Sequence, residues 1–293
     1  MKILISGGYG QLGCDVTELL QTAHEVVSCS SADLDISNKE QVAAVFSKHQ
    51  PDVVINCAAY TAVDKCETES TQAWLVNATG PENLAIQAEA TGARLIHIST
   101  DYVFDGNRAP EESYSEEDNV SPLSEYGRGK LAGEEAIAKH SSDYIILRTA
   151  WLYGFKGNNF LKTMLRLAMA APTRELKVVN DQHGSLTWTH TLARQIQAVL
   201  SPEIQGIVHA TATGSSTWYE GACFFLDTMG VAYTLSPCTT ADYPTPAHRP
   251  ANSILNNRRL EEENISVFRS WQEDIQRYVA MYKKELQDEV SQA

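Results

Sequence analysis

The fold is decided by the stretch Lys2-Ile3-Leu4-Ile5-Ser6-Gly7-Gly8-Tyr9-Gly10-Gln11-Leu12-Gly13, near the N-terminus. Its first five residues form an apolar run typical of a buried strand, and a helical pattern continues from the glycines to about Gln21. Strand, glycine loop and helix in this order are the context of a dinucleotide fingerprint, here spaced G-x-x-G-x-x-G. The glycines permit a tight turn and a close approach to a pyrophosphate, which a helix N-terminus attracts. We therefore expect Gly7, Gly10 and Gly13 to bind a dinucleotide, with a ligand-free turn as the alternative.

Strand-like and helix-like segments alternate throughout residues 2–149, which predicts an α/β fold with a doubly wound parallel sheet of the Rossmann type. Further strands are expected at 24–28, 53–56, 93–98 and 144–148, and helices at 41–49, 70–91 (with a break or kink at Gly80-Pro81) and 124–140. We predict a dinucleotide-binding domain over residues 1–150. Residues 151–293 are expected to be mainly a smaller α/β substrate-binding part, with some segments returning to the first domain.

The residues after the second predicted strand bear on the choice of cofactor. An acid at this position binds the ribose 2′-hydroxyl, whereas an arginine accommodates a 2′-phosphate. Cys29-Ser30-Ser31 offers neither, so NADPH is permitted and not demanded. Asp35 and Ile36 are candidates to border the adenine; as an alternative, Asp35 caps the helix that starts near Asn38. After the third strand, the small Ala58 and Ala59 would let a flat cofactor lie close to the backbone, unless they only pack the core.

The stretch from Ser99 to Lys130 carries the candidate chemistry. Ser99-Thr100-Asp101 ends a predicted strand, where open α/β sheets bind ligands. Tyr126 and Lys130 are spaced i, i+4 and therefore share one face of a helix. An ammonium near a phenol would lower the pKa of that phenol toward a useful range. A hydroxyl, a phenol and an ammonium could thus converge on one carbonyl oxygen; the alternative is an ordinary helix-surface pair.

Composition excludes several other classes of protein. A net charge of −14 argues against a broad nucleic-acid surface. The absence of a run of about 18 apolar residues predicts no membrane span, and the N-terminus has no signal-peptide layout. Six scattered cysteines without Cys-x-x-Cys favour free thiols in a reducing cytoplasm over disulfides or a zinc site.

With these residues in hand, the chain resembles the extended short-chain dehydrogenase/reductase superfamily and, within it, the dTDP-4-dehydrorhamnose reductase family. The resemblance covers nearly the whole chain. Shared with many sugar-nucleotide members are the glycine loop, residues 99–104 and Tyr126-x-x-x-Lys130. The more specific matches are residues 58–64, 148–154, 157–160 and 180–182, together with Pro244-Thr245-Pro246-Ala247 through Arg249-Pro250.

The resemblance implies reduction of the C4 keto group of dTDP-4-dehydro-β-L-rhamnose to dTDP-L-rhamnose, with NADPH as cofactor and NADH left open. It implies that Tyr126 donates a proton, that Lys130 holds the nicotinamide ribose and keeps Tyr126 acidic, and that Thr100 binds the C4 oxygen. Substrate contacts are implied for Asp101, Trp151, Asn159 and Arg249, and cofactor contacts for Gly10, Gln11, Leu12, Asp35, Ile36, Ala58, Ala59 and Tyr60.

The chain departs from the family pattern at two places. Leu186 replaces the proline of Asp-Gln-x-Gly-x-Pro-Thr, which suggests a different loop near the substrate. Some members bind Mg²⁺ through carboxylates at a dimer interface; Asp15 keeps one acid, but His190 stands in place of a glutamate, so Mg²⁺ and a homodimer are left open. Two alternatives also stay open: another dTDP-sugar reductase or an epimerase of the same fold, and a non-catalytic NADP-binding regulatory subunit.

Overall fold

The computed structural model describes residues 1–200 and 204–292. Its strands are β1 Lys2–Ser6, β2 Glu25–Cys29, β3 Val53–Asn56, β4 Arg94–Thr100, β5 Tyr144–Thr149, β6 Leu152–Tyr153, β7 Glu175–Val179, β8 His183–Gly184, β9 Thr187–Trp188, β10 Gly206–His209, β11 Ser216–Thr217 and β12 Thr234–Cys238. Its α-helices are α1 Gln11–Leu20, α2 Lys39–His49, α3 Val63–Cys66, α4 Ser70–Trp74, α5 Gly80–Thr91, α6 Glu125–His140, α7 Phe160–Ala170, α8 Thr189–Ala198, α9 Trp218–Met229, α10 Arg258–Glu262 and α11 Trp271–Gln292.

A six-stranded parallel sheet in the order β2-β1-β3-β4-β5-β10 organises the molecule. The chain passes from β1 outward to β2, then crosses back to β3 and continues in the opposite direction. This reversal confirms the predicted doubly wound parallel sheet. It also opens a crevice between the carboxyl ends of β1 and β3, which is where such sheets bind ligands.

Helices cover both faces of this sheet, and successive side chains of each strand point to opposite faces. In β1, Ile3 and Ile5 pack with α1 and α8 in one buried cluster, whereas Leu4 packs with α2, α5 and α6 in another. Parallel strands that are covered on both faces have nearly continuous apolar sequences. This explains why the sequence of β1 shows no polar face.

A third buried cluster belongs to the C-terminal part, where α7, α9 and α11 pack around Trp188, Phe225 and Tyr278. Two segments from beyond residue 150 lie with the N-terminal half: α8 packs against α1, and β10 pairs with β5 in the large sheet. The division at residue 150 stays a prediction.

Of the break or kink expected at Gly80-Pro81, the break is wrong, and the kink stays a prediction. Helical residues continue from α4 through a π-helical turn, Leu75–Thr79, directly into α5. The hydrogen-bond spacing changes within this turn, which accommodates a proline that has no N–H to donate.

Two findings concern the chain as a whole. Among residues 1–200 and 204–292, no helix combines the length and the apolar character needed to cross a membrane. All six cysteines are free thiols.

Candidate active site

A cleft of about 450 Å³ lies at the carboxyl edge of the large sheet. Each of the four central strands contributes to its wall: Gly10 follows β1, Ala59 follows β3, Thr100 ends β4 and Ala150 follows β5. Because the strands are parallel, their carboxyl ends meet here, so residues far apart in sequence face one cavity.

The glycine loop forms one end of this cleft. Gly7 has φ +66°, and a Cβ there would overlap the backbone of Ala58, so the loops after β1 and β3 touch. Gly10 is the N-cap residue of α1 and provides no side-chain cap, and the first turn of α1 carries no acidic residue. The first N–H groups of α1 can therefore donate to an anion. Gly10, Gln11 and Leu12 line the cleft, while Gly13 lies behind the loop against the Gly7 carbonyl.

The loop after β3 forms the opposite wall. Ala59 lines the cleft, and Ala58 lies against Gly7. Tyr60 is fixed through its backbone by the buried Asn77: the Tyr60 N–H donates to Asn77 Oδ1 over 2.9 Å, and Asn77 Nδ2 donates to the Tyr60 carbonyl over 3.0 Å. The side-chain hydroxyl of Tyr60 donates to Glu69. The π-helical turn thus holds the loop through Asn77, a residue that sequence reasoning left without a role.

Three observations concern the segment after β2. The side chain of Asn38, not that of Asp35, caps α2 by accepting from Gln41 N, and Asp35 is exposed. The side chain of Ile36 lies in the core against α5, and contacts of Asp35 and Ile36 with an adenine stay predictions. A carboxylate does stand near the end of β2: Asp33 Oδ2 accepts from Ser30 N over 2.9 Å and from Ser30 Oγ over 2.6 Å.

Thr100, Tyr126 and Lys130 line the same cleft as Gly10. The Ser124 side chain caps α6 by accepting from Gly127 N over 3.1 Å, which fixes the first turn of the helix that carries Tyr126. The Tyr126 ring meets the Tyr102 ring edge-on, with 5.5 Å between centroids. The structure therefore brings together the hydroxyl, the phenol and the lysine that the sequence singled out. Their catalytic roles stay predictions.

The electrostatics of this group differ from the expectation. Burial raises the pKa of Tyr126, while the Thr100 hydroxyl acts in the opposite direction. Lys130 Nζ instead contacts the Ile98 carbonyl over 2.6 Å and His97 Nε2 over 3.1 Å, and burial lowers the pKa of Lys130 to about 8. The Lys130 amine thus contacts two residues of strand β4, and the pKa of Tyr126 is not lowered by it.

Three predicted substrate contacts lie around the same cleft. Asp101 is buried, accepts the Thr100 hydroxyl over 2.9 Å, and has its pKa raised by burial to about 6. Trp151 has φ +49° and stacks on Trp218 with 3.7 Å between ring centroids. Asn159 caps α7 and donates to Gln11 Oε1 over 3.2 Å. Asn159 therefore links the C-terminal part to the glycine loop.

Arg249 lies in a second cavity of about 530 Å³. It donates to both carboxylate oxygens of Asp64, over 3.0 and 2.9 Å. The cavity combines apolar walls, including Phe160, with the cations Arg174 and Lys177. Trp218 lines this cavity as well as the first one, so the two adjoin at its ring.

Comparison with known proteins identifies the family. Residues 1–284 match the model of the RmlD substrate binding domain. A dTDP-4-dehydrorhamnose reductase of Shigella flexneri is 41% identical over 292 residues, which cover 94% of this chain and 96% of that protein. The chain belongs to the dTDP-4-dehydrorhamnose reductase family. The resemblance drawn from the motifs is thereby confirmed.

Solved structures of the dTDP-4-dehydrorhamnose reductase family share the whole fold. That of the Clostridium acetobutylicum protein has a TM-score of 0.93 at 43% identity and covers 97% of this chain and all of its own. That of the Bacillus anthracis protein, solved in complex with NADP, has a TM-score of 0.92 at 37% identity, with 96% and 99% covered.

Sequence reasoning missed Trp218, the residue common to both cavities. The pattern around it signals only a helix start, since Thr217 and Glu220 form a capping box at the N-terminus of α9. Trp218 Nε1 donates to Gln182 Oε1 over 3.1 Å, and although Gln182 lies within a family-specific match, this contact is visible only in the structure.

The two departures from the dTDP-4-dehydrorhamnose reductase pattern have different settings. Leu186 is buried in the C-terminal core against Gly221 and supports the loop that follows β8.

The second departure concerns the possible metal site. Asp15 Oδ2 accepts the Thr189 hydroxyl over 2.5 Å, and burial raises the pKa of Asp15. Within residues 1–200 and 204–292, no three His, Cys, Asp or Glu side chains gather as a metal site. The question of Mg²⁺ stays where the sequence left it.

Proposed function

We propose that this chain reduces the C4 keto group of dTDP-4-dehydro-β-L-rhamnose with NAD(P)H and thereby forms dTDP-L-rhamnose. Membership of the dTDP-4-dehydrorhamnose reductase family supports this reaction. The observation that carries the proposal is the convergence of Thr100, Tyr126 and Lys130 on the cleft that begins at the glycine loop.

Each of these residues suits one task in the reduction of a carbonyl. Negative charge builds on the carbonyl oxygen, so a proton donor and a hydroxyl are most effective there. Tyr126 donates the proton, and its raised pKa keeps the phenol protonated for this purpose. Thr100 donates a hydrogen bond to the same oxygen. Lys130 holds the cofactor ribose, and as an ammonium it stabilises the phenolate left on Tyr126.

The residues around the glycine loop fit a nicotinamide dinucleotide. The uncapped N-terminus of α1 and the backbone of Gly10 would hold the pyrophosphate, and Ala59 leaves room for a flat ring. The bound nicotinamide supplies the hydride. We propose that NADPH and NADH are both accepted, and that the Asp33 carboxylate beside Ser30 weakens the binding of the 2′-phosphate of NADPH.

The second cavity suits the nucleotide half of the substrate. Arg174, Lys177 and Arg249 supply positive charge for a diphosphate, and Phe160 and Trp218 supply apolar surfaces for a base. The 6-deoxy sugar would then lie at Trp218, where this cavity meets the cleft. Trp151, stacked on Trp218, and Asp101 would border that sugar.

A product-identified assay tests the proposed reaction. Purified enzyme is given dTDP-4-dehydro-β-L-rhamnose with NADPH or NADH, and the sugar product is analysed. We expect dTDP-L-rhamnose, and we expect Tyr126→Phe to lower kcat by about 10²- to 10⁴-fold because the proton donor is lost. Tyr144→Phe, at the amino end of β5 and thus at the sheet edge opposite the cleft, serves as the matched control. Undiminished turnover in Tyr126→Phe would refute the assigned donor. Absence of any product, with NADP still bound, would favour a regulatory subunit.

Location in the cytoplasm and assembly as a homodimer remain predictions from the sequence.

A further inference from the structure

A chain of buried hydrogen bonds runs beneath the cleft from β1 to α6. Ser6 Oγ donates to Asn56 Oδ1 over 2.8 Å, Asn56 Nδ2 lies 2.9 Å from His97 Nδ1, and His97 Nε2 lies 3.1 Å from Lys130 Nζ. Ser6, Asn56 and His97 are fully buried, and Lys130 is 1% exposed. The proposed reaction uses Lys130 only, so the rest of the chain has no assigned task.

The orientation of the Asn56 amide is fixed by the backbone. The Ala58 N–H, which can only donate, lies 3.1 Å from Asn56 Oδ1. That atom must therefore be the oxygen, and the amide NH₂ must face His97. Since an NH₂ group only donates, His97 Nδ1 must accept and carries no proton.

The remaining proton of His97 then lies on Nε2, facing Lys130. An ammonium has no lone pair and cannot accept this hydrogen bond, whereas a neutral amine can. A neutral Lys130 still donates to the Ile98 carbonyl over 2.6 Å. The geometry is thus consistent with one pair of protonation states, a neutral imidazole and a neutral amine.

The other ionisable groups around Lys130 leave this pair in place. Glu134, one turn further along α6, is bound by Arg148 of β5 over 2.6 Å. Burial raises the pKa of the Cys57 thiol to about 12, so it stays neutral. Burial also raises the pKa of the Tyr126 phenol and lowers that of His97. Among the residues that the structure describes, none beside Lys130 carries an uncompensated negative charge that would hold an ammonium against His97.

We propose that His97, oriented by Asn56, is a positioning residue that holds the neutral amine form of Lys130 through its Nε2–H and thereby sets the pH at which Lys130 changes charge. The consequence for catalysis rests on the proposed function. Only the ammonium form stabilises a phenolate on Tyr126, so His97 would set the alkaline limit of the reductase.

The tautomer can be read directly by ¹⁵N NMR of the histidine rings in the full chain, without substrate. We expect His97 to be neutral with its proton on Nε2 from about pH 8 to about pH 9, where the amine of Lys130 is neutral. A proton on Nδ1, or an imidazolium within this range, would overturn the proposal. This reading stands whether or not the chain turns over a dTDP-sugar.

Asn56→Asp tests the link to Lys130 with a side chain of the same shape. A carboxylate facing Nδ1 draws the ring proton to that atom, and the Nε2 lone pair can then accept from an ammonium. We expect the titration of Lys130, followed by ¹³Cε NMR, and the alkaline limb of kcat/KM for NADPH to move upward together by about one pH unit or more. If neither the titration of Lys130 nor the alkaline limb moves, in a variant that still shows a cooperative thermal unfolding transition, the proposal is contradicted.

Ser6→Ala is the matched control. It shortens the same chain of hydrogen bonds but keeps the Ala58–Asn56 bond that orients the amide. We therefore expect the His97 tautomer and the titration of Lys130 to stay at their original values. A merely structural role for the chain would lower stability in both variants and move neither titration.

Discussion

Two buried polar groups join α6 to the large sheet, and they differ in how they handle charge. In the first, Glu134 accepts from Arg148 through both carboxylate oxygens and from Ser99 Oγ over 2.5 Å, so opposite charges are paired. In the second, Lys130 meets only a neutral ring and a carbonyl.

Lys130 and Glu134 are themselves spaced i, i+4 on α6 and could form an ion pair with each other. Arg148 prevents this by binding Glu134 from β5, with both side chains only 2% exposed. A buried charge that is paired with an opposite charge becomes a fixed part of the scaffold. A buried lysine left without a counter-charge stays free to gain and lose a proton beside the cleft.

The largest expected effect on stability is that of breaking the ion pair. Glu134→Gln leaves the buried guanidinium of Arg148 without a counter-charge, and we expect the free energy of unfolding to fall by about 3–5 kcal/mol in urea denaturation. The double variant Glu134→Leu with Arg148→Met serves as the control, since removing both charges should recover most of this loss. If Glu134→Gln is as stable as the original protein, the ion pair does not contribute to the free energy of unfolding.

Removing the unpaired lysine should act in the opposite direction. Because the pKa of Lys130 lies near 8 in the folded chain against 10.5 for the free side chain, the folded state binds its proton less tightly. Lys130→Met should therefore stabilise the fold by about 3 kcal/mol below pH 8.

This gain should shrink as the pH rises from 8 to 10.5, because the unfolded lysine then loses its proton as well. Urea denaturation at several pH values measures the trend, and kcat of Lys130→Met should fall sharply throughout. A gain that does not depend on pH would mean that Lys130 is not the group that titrates.

The smallest expected effect concerns an exposed charge outside both buried groups. Asp33→Asn keeps an acceptor for Ser30 but removes the negative charge, and we expect kcat/KM for NADPH to rise by about fivefold. The value for NADH, which has no 2′-phosphate, should change little. Initial rates with both cofactors give the comparison. An equal rise for NADH would place Asp33 away from the 2′-phosphate.

Much of the fold could be predicted because its signals are local. The apolar run of β1, the glycines that follow it and the i, i+4 spacing of Tyr126 and Lys130 each lie within a few residues of one another. The sequence offered Asp35 as a possible cap of α2, and Asn38 caps it instead, because both residue types suit a cap and only backbone geometry selects between them. The continuous helix through Pro81 was missed because sequence patterns do not reveal a π turn.

The residues of the candidate site that stand in sequence motifs could be predicted. Those whose roles depend on contacts with distant parts of the chain could not. Trp218 joins two cavities through contacts with Trp151 and Gln182, which lie 67 and 36 residues earlier in the chain. Asp33 was missed because its side chain folds back onto Ser30. Each of these roles depends on a contact that no periodicity records.

The sequence by itself determined that this chain would build a parallel sheet, place a glycine loop between its first strand and helix, and carry a tyrosine and a lysine on one helix face. These outcomes follow from hydrophobic period, backbone freedom and helical spacing, which are properties of neighbouring residues. Only the tertiary structure decided what Lys130 touches. Its partner is His97 and not Glu134, because β4 and β5 bring a neutral ring to one position and Arg148 to the other.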